Sequence, residues 1–224
     1  MVPPARPSRS PRRNDGRRTQ AERRADSEER LIRASVELIV EHGLERTSLA
    51  DIGRRAGASH ALVNHRFGSK DELVDRIIEH ATHYYATSAI NRVGDHTGLE
   101  ALLDICTMYL DLVEDPDPLG RVHVVMWSEA VAHAPSRRSA QLEWDRQFRS
   151  FAASLIEDGI AEGTIRADVD VADAALTIVG ALRGTAMQLL LDEGIDLTRA
   201  RDLVRTVVLA ALEVPAPETA PERS

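Results

Sequence analysis

Apolar residues recur along this chain at intervals of three and four, with polar residues between them, and no stretch alternates with period two long enough to make a strand. The pattern predicts about nine helices. Asp26 with Glu29 three residues on has capping-box spacing, and Leu31, Ala34, Leu38 and Ile39 follow at helical intervals until Gly43. Ser48 with Asp51 opens a short second helix carrying Leu49, Ile52 and Ala56. Gly57 supplies a turn, and Ser59 caps a third helix whose Val63 and Phe67, four apart, face inward. Gly68 ends it, and Ser69 with Glu72 opens a fourth helix striped by Leu73, Ile77, Ala81, Tyr84 and Ser88.

The rest reads the same way. Thr97 with Glu100 opens a fifth helix, stopped by the prolines of "EDPDP"; a sixth spans about 119–133. The seventh spans about 136–162 and carries the stripe Trp144, Phe148, Phe151 and Leu155. The eighth, about 171–191, and ninth, about 197–214, are apolar around much of their circumference. The fold class expected is all-α: a three-helix amino-terminal unit over 25–85 and a helical unit over 86–214. Residues 1–24 and 215–224, rich in Pro, Ser, Arg and Glu without apolar period, read as a disordered arm and tail.

Charge changes this picture more than composition does. The chain carries –8 overall, yet residues 1–24 hold eight arginines against Asp15 and Glu22, a local +6, so the remainder carries –14. Within that remainder, residues 44–70 stand at +3, with Arg46, Arg54, Arg55, Arg66 and Lys70 against Glu45 and Asp51. Positive charge collects in the first third. With Cys106 the only cysteine, an intramolecular disulfide is impossible; the residue reads as filler on an apolar helix face. No apolar run approaches the roughly 18 to 20 residues that cross a bilayer, and no secretion signal follows the amino-terminal arginines. The expectation is a cytoplasmic protein that is not a membrane span.

Two short helices joined by a Gly-containing turn form a helix-turn-helix, whose second member can enter the major groove of DNA. With Val63 and Phe67 committed inward, His60, Ala61, Asn64 and His65 face out. Asn64 can pair with adenine N6 and N7, a histidine with a purine edge, and Ala61 lets the backbone approach the bases. Ser48, Ser59, Arg66 and Lys70 suit phosphate contacts near helix N-termini. The Arg-rich arm reads equally as a DNA contact or as a solvated tail.

"TSLADIGRRAGASHALVNHRFGSKDEL", Thr47 to Leu73, resembles the DNA-binding signature of the TetR family of bacterial transcriptional regulators. Its elements are Thr47-Ser48, Leu49, Ile52, Ala56-Gly57-Ala58-Ser59, Phe67, Ser69-Lys70 and Leu73. Gly53 stands where alanine is usual, a change read as harmless to packing, and Asn64 stands where many members have tyrosine. "LVNHRF" is similar to the BetI-like branch, as are the tryptophan, the "ADVDV" connector and the "ALRG" helix of the later chain.

The resemblance implies a repressor, a homodimer on a palindromic operator, released by a small-molecule effector. It implies a dimer face made by the last two helices, here Ala174, Ile178, Ala181, Leu182, Thr185, Val204, Val207, Val208 and Ala211, with Gly180 and Gly184 allowing close approach. Candidate effector-pocket residues are Met108, Tyr109, Met126, Trp127, Glu129, Trp144, Phe148 and Phe151; each also reads as plain core. BetI-like regulators are associated with choline, and a quaternary ammonium wants an aromatic cage. Three Tyr, three Phe and two Trp barely supply one, so the effector stays open.

An all-helical enzyme is the main alternative, yet the chain has no nucleophile elbow, no phosphate loop ending in Lys-Ser/Thr and no HExxH. No cofactor or metal site is expected; His80 and His83 read as solvated. A protein-binding adaptor, the other alternative, leaves the gathering of His60, Asn64, His65, Arg66 and Lys70 unexplained.

Overall fold

The computed structural model describes residues 19–132 and 135–214, with the side chains of residues 135–137 and 140 outside that description. The described residues form nine helices: α1 (Gln20–His42), α2 (Leu49–Ala56), α3 (His60–Phe67), α4 (Lys70–Val93), α5 (Gly98–Glu114), α6 (Leu119–Ala132), α7 (Pro135–Glu162), α8 (Val171–Leu191) and α9 (Leu197–Leu212). Among the described residues, β-pairing is confined to one bridge, Ile165 to Glu213, which ties the α7–α8 connector to the end of α9.

The first helix begins six residues before the position expected. Thr19 Oγ1 accepts from the Glu22 amide at 3.1 Å, and the Glu22 carboxylate accepts from the Thr19 amide at 2.6 Å. That capping box wins over the Asp26/Glu29 pair because nothing between them breaks a helix. Residues 19–24 are therefore helix rather than arm. Residues 1–18 and 215–224, the rest of the proposed arm and tail, lie outside the described residues.

Two apolar cores hold the molecule. In the first, Leu31, Ile32, Val36 and Ile39 of α1 pack with Ile52, Val63, Phe67, Leu73, Val74 and Ile77. Val122 and Met126 of α6 insert into this same core, so the amino-terminal unit is seated on α6 as well as on α4. Arg33 adds an ion pair to Asp117, 3.1 Å, across the same junction. The second core is built around α5, whose Leu102, Ile105, Cys106, Tyr109, Leu110 and Val113 are all nearly sealed from solvent by α4, α6, α7, α8 and α9. Cys106 fills space there, its thiol pushed up to about 12 by burial.

One expectation fails on composition. Helix α8 is by length and apolarity alone able to cross a membrane. Its apolarity serves packing: Ala175, Ile178, Val179, Leu182, Ala186 and Leu189 are buried against the rest of the chain. Arg183, in the middle of the helix, is paired to Asp145 at 2.6 Å.

Candidate nucleic-acid interface and ligand cavity

Helix α3 is eight residues long and is fixed at both ends. Ser59 caps it, accepting from the Leu62 amide at 3.2 Å, and Gly57, in the left-handed region at φ 64°, turns the chain out of α2. Val63 and Phe67 are buried, whereas His60, Ala61, Asn64 and His65 are exposed and Leu62 is half-buried. Asn64 Nδ2 lies 3.4 Å from His60 Nδ1, so these two side chains share one outer face one turn apart.

Gly53 is not the harmless exchange it seems in sequence. A Cβ built there would stand 2.9 Å from the Ala58 carbonyl oxygen and 3.3 Å from Val63 Cγ2. The Ala58 amide donates to the Gly53 carbonyl at 2.8 Å, closing the end of α2, so the turn leading into α3 lies directly over Gly53. A glycine permits that approach.

The cations around α3 are not equivalent. Arg66 sits 3.6 Å from Glu28 and is mostly covered. Lys70 Nζ donates to the Glu45 carbonyl at 3.1 Å and lies 3.8 Å from its carboxylate. Arg55 is drawn onto α1 by Glu37 and Glu41, whose carboxylates hold its guanidinium charged. Arg54, one residue earlier, points out with 78% of its side chain exposed, paired only with Asp51 a turn away. Arg54 and Arg46 line a shallow polar hollow between α1 and α2. Sequence reasoning did not select these two: adjacent arginines look alike until the helix phase turns one inward. The Ser48 hydroxyl, meanwhile, caps α2 and donates to Asp51 at 2.5 Å, which leaves it less free than Ser59.

Between α4, α5 and α7 lies a cavity of about 460 Å³. Met108 of α5 and the α7 stripe Trp144, Phe148 and Phe151 line it, with Tyr85 of α4; so do Thr82, Ile90 and Gln147, which the sequence reading did not assign. Tyr85 is one position out of the phase inferred from Tyr84, and it is Tyr85 that is buried. The other four candidates sit elsewhere. Tyr109 stacks on Phe148 from behind, at 5.5 Å between ring centroids. Met126 belongs to the core under α1, Trp127 lies over the Arg183 guanidinium at 5.1 Å, and Glu129 reaches toward Gly43.

Behind the cavity wall is a chain of buried polar groups. Asp145 accepts from Arg183 at 2.6 Å and forms an ion pair with Arg149 at 3.0 Å. The Tyr109 hydroxyl meets His123 Nε2 at 2.7 Å, and the Tyr85 hydroxyl donates to the Gly120 carbonyl at 2.5 Å. Burial, reinforced by the Arg183 charge, depresses His123 to about 3. The imidazole is therefore neutral and shares a hydrogen bond with the Tyr109 hydroxyl.

The last two helices leave a wide apolar groove of about 840 Å³, walled by Ala174, Ala181, Thr185, Val207 and Ala211 with Ile178, Val204 and Val208 on its floor. Leu176, Leu203 and Val207 stand more than half exposed beside it. Leu182 is a correction: it is buried inside its own subunit at 1% exposure and is not available to a partner. Gly180 and Gly184 face open space.

Comparison with known proteins accords with this layout. Residues 31–77 match the bacterial regulatory proteins of the tetR family, and residues 98–213 match the carboxyl-terminal part of BetI-type transcriptional repressors. The regulator BetI of Paraburkholderia xenovorans strain LB400 is 30% identical over 113 residues, covering 50% of this chain and 57% of its own. The match thus spans little more than half the length of that relative. The repressor KstR2 of Rhodococcus jostii strain RHA1 is 26% identical over 177 residues, 76% of this chain and 78% of its own. Among solved structures, a putative transcriptional regulator from Saccharomonospora viridis in complex with choline superposes with TM-score 0.75 at 17% identity, over 85% of this chain and all of the other.

Proposed function

Because the chain belongs to the tetR family of bacterial regulatory proteins, with a BetI-type carboxyl-terminal half, we propose that it is a homodimeric repressor released from a palindromic operator by a small molecule. Regulators of this kind are not enzymes, and the protein works in the cytoplasm where its DNA lies. The observation that carries the reading is the division of α3: Val63 and Phe67 are sealed inside, and His60, Ala61, Asn64 and His65 are exposed outside, with His60 and Asn64 in contact with each other. A major groove about 12 Å wide accepts such a helix.

In this reading Asn64 and the two histidines meet base edges, and Ala61 admits close approach. Ser59, with Ser48, Lys70 and Arg66, sets the register on phosphate, and Arg54 and Arg46 join them. The residues from α1 into the first half of α4 form the reading head, and those beyond form the ligand and dimer unit.

The groove between α8 and α9 takes the same groove of a second copy. Leu203 and Val207 are exposed there, and Gly180 and Gly184 leave room for helices to meet. Two-fold symmetry then sets two α3 helices about 34–36 Å apart on successive grooves. The effector seat is the cavity between α4, α5 and α7. Helix α4 carries both ends of the switch: Leu73, Val74 and Ile77 lie in the head core, while Thr82, Tyr85 and Ile90 line the cavity. An occupant acts by favouring a head spacing that does not fit DNA, and the coupling is reciprocal, typically ~1–3 kcal/mol.

The test is selection from random duplexes by gel shift with the full chain. A palindrome whose occupancy falls steeply with salt is expected. Recovery of no sequence above background at low salt rejects the DNA reading.

A further inference from the structure

The cavity between α4, α5 and α7 is lined by no Asp, Glu, His, Lys or Arg. Among the described residues its polar side chains are Thr82, Tyr85, Trp144 and Gln147, and the donors of Thr82 and Tyr85 are spent. The Thr82 hydroxyl donates to the Ile78 carbonyl at 2.7 Å, and the Tyr85 hydroxyl to the Gly120 carbonyl. The Gln147 amide donates to Glu143 at 3.1 Å, outside the cavity. What remains is the Trp144 indole N–H as a donor, and acceptor capacity on two hydroxyl oxygens and the Gln147 carbonyl.

The walls are Tyr85, Trp144, Phe148, Phe151, Met108 and aliphatic residues, with Ile90 and Phe151 partly exposed at the rim. The charged group packed behind these rings has a surplus of positive charge, since the single Asp145 carboxylate is shared by the Arg183 and Arg149 guanidiniums. A quaternary ammonium entering here finds rings but no counter-ion among the lining residues, the nearby Glu143 carboxylate being engaged by Gln147 outside, and the Arg183 guanidinium stands behind the wall. An ionic group buried without a partner is strongly disfavoured. Aromatic faces alone return only part of that loss.

We infer that this cavity takes an uncharged, largely apolar molecule carrying a hydroxyl or similar hydrogen-bonding group, and discriminates against quaternary ammonium ligands of the same shape. The inference rests on the cavity being the effector seat but needs no DNA, so it stands or falls separately from the operator reading.

The experiment is displacement of the uncharged fluorophore N-phenyl-1-naphthylamine from the full-length protein by two isosteres differing in one charge, 4-tert-butylphenol and (4-hydroxyphenyl)trimethylammonium. The phenol is expected to displace at a concentration about tenfold lower or less. Ala86→Phe, at the cavity wall, should abolish binding of fluorophore and phenol. Gln147→Glu, a change at an exposed position that supplies the missing counter-ion, should narrow or invert the preference. Equal or tighter binding of the ammonium to the native protein, lost in Ala86→Phe, overturns the ligand class and leaves the cavity as the seat. Unchanged binding of the phenol to Ala86→Phe overturns the cavity as the seat itself.

Discussion

Replacing His123 by glutamine should make the protein less sensitive to acid, although it removes a buried imidazole. His123 is fully enclosed by Tyr85, Tyr109, Trp144 and Arg183, and burial holds it near 3 against an ordinary value of 6.5. Its folded value is the lower one, so the unfolded chain takes up a proton first as pH falls below 6.5, and stability is lost from there down toward 3. At pH 5 the unfolded imidazole is about 97% protonated and the folded one about 1%, which corresponds to roughly 2 kcal/mol lost relative to pH 7.5. Glutamine keeps a carbonyl for the Tyr109 hydroxyl and cannot titrate. His96, raised chiefly by its bond to Asp104, works in the opposite direction but is common to both proteins and cancels. The assay is urea unfolding at pH 7.5 and pH 5.0, at one protein concentration so that any dimer term is held constant. The variant is expected to lose about 2 kcal/mol less than the native protein between the two pH values. Equal losses would show that His123 is not held neutral inside the fold.

Asp145→Leu leaves Arg183 buried without its carboxylate and should cost about 3–5 kcal/mol in urea unfolding. Arg183→Met should cost less, because Arg149 remains on Asp145; the reverse order would contradict the pairing. Gly53→Ala should destabilise by about 1–3 kcal/mol, since the Ala58 carbonyl cannot retreat without parting α2 from α3. A more stable protein would show that helix propensity outweighs that contact. Arg54→Ala should weaken binding to all duplexes alike and reduce the salt slope by about 1, while an unchanged slope would remove Arg54 from the phosphate set.

The outward face of α3 was legible because two physical rules agree on it. Ser59 and Gly68 bound the helix, and Val63 and Phe67 fix its phase, so His60, Ala61, Asn64 and His65 fall on the outer side, with Leu62 and Arg66 at its edges. Long helices were harder to phase. On α4 a one-residue drift made Tyr84 look buried where Tyr85 is, and Thr82 and Ile90 of the cavity wall went unassigned. On α6 three candidate pocket residues scatter, because consecutive positions of a helix with two buried sides serve different neighbours: Met126 goes to the head core and Trp127 to Arg183. The start of α1 turned on two capping signals of the same kind, and the helix takes the earlier one because no breaker separates them. Gly53 depends on the distance between two backbones, which no pattern along one chain encodes. Leu182 and the exposed Val207 are both apolar on terminal helices; pattern does not distinguish a side chain used inside the subunit from one left for a partner.

The central claim is that the exposed side of α3 reads base edges. It is tested most directly by measuring affinity for the selected palindrome and for every single base-pair substitution in it, with native protein and Asn64→Ala. The account predicts that the variant loses ~1–3 kcal/mol of discrimination at one position in each half-site and keeps it elsewhere. Discrimination unchanged at every position, or lost equally at all of them, would contradict it.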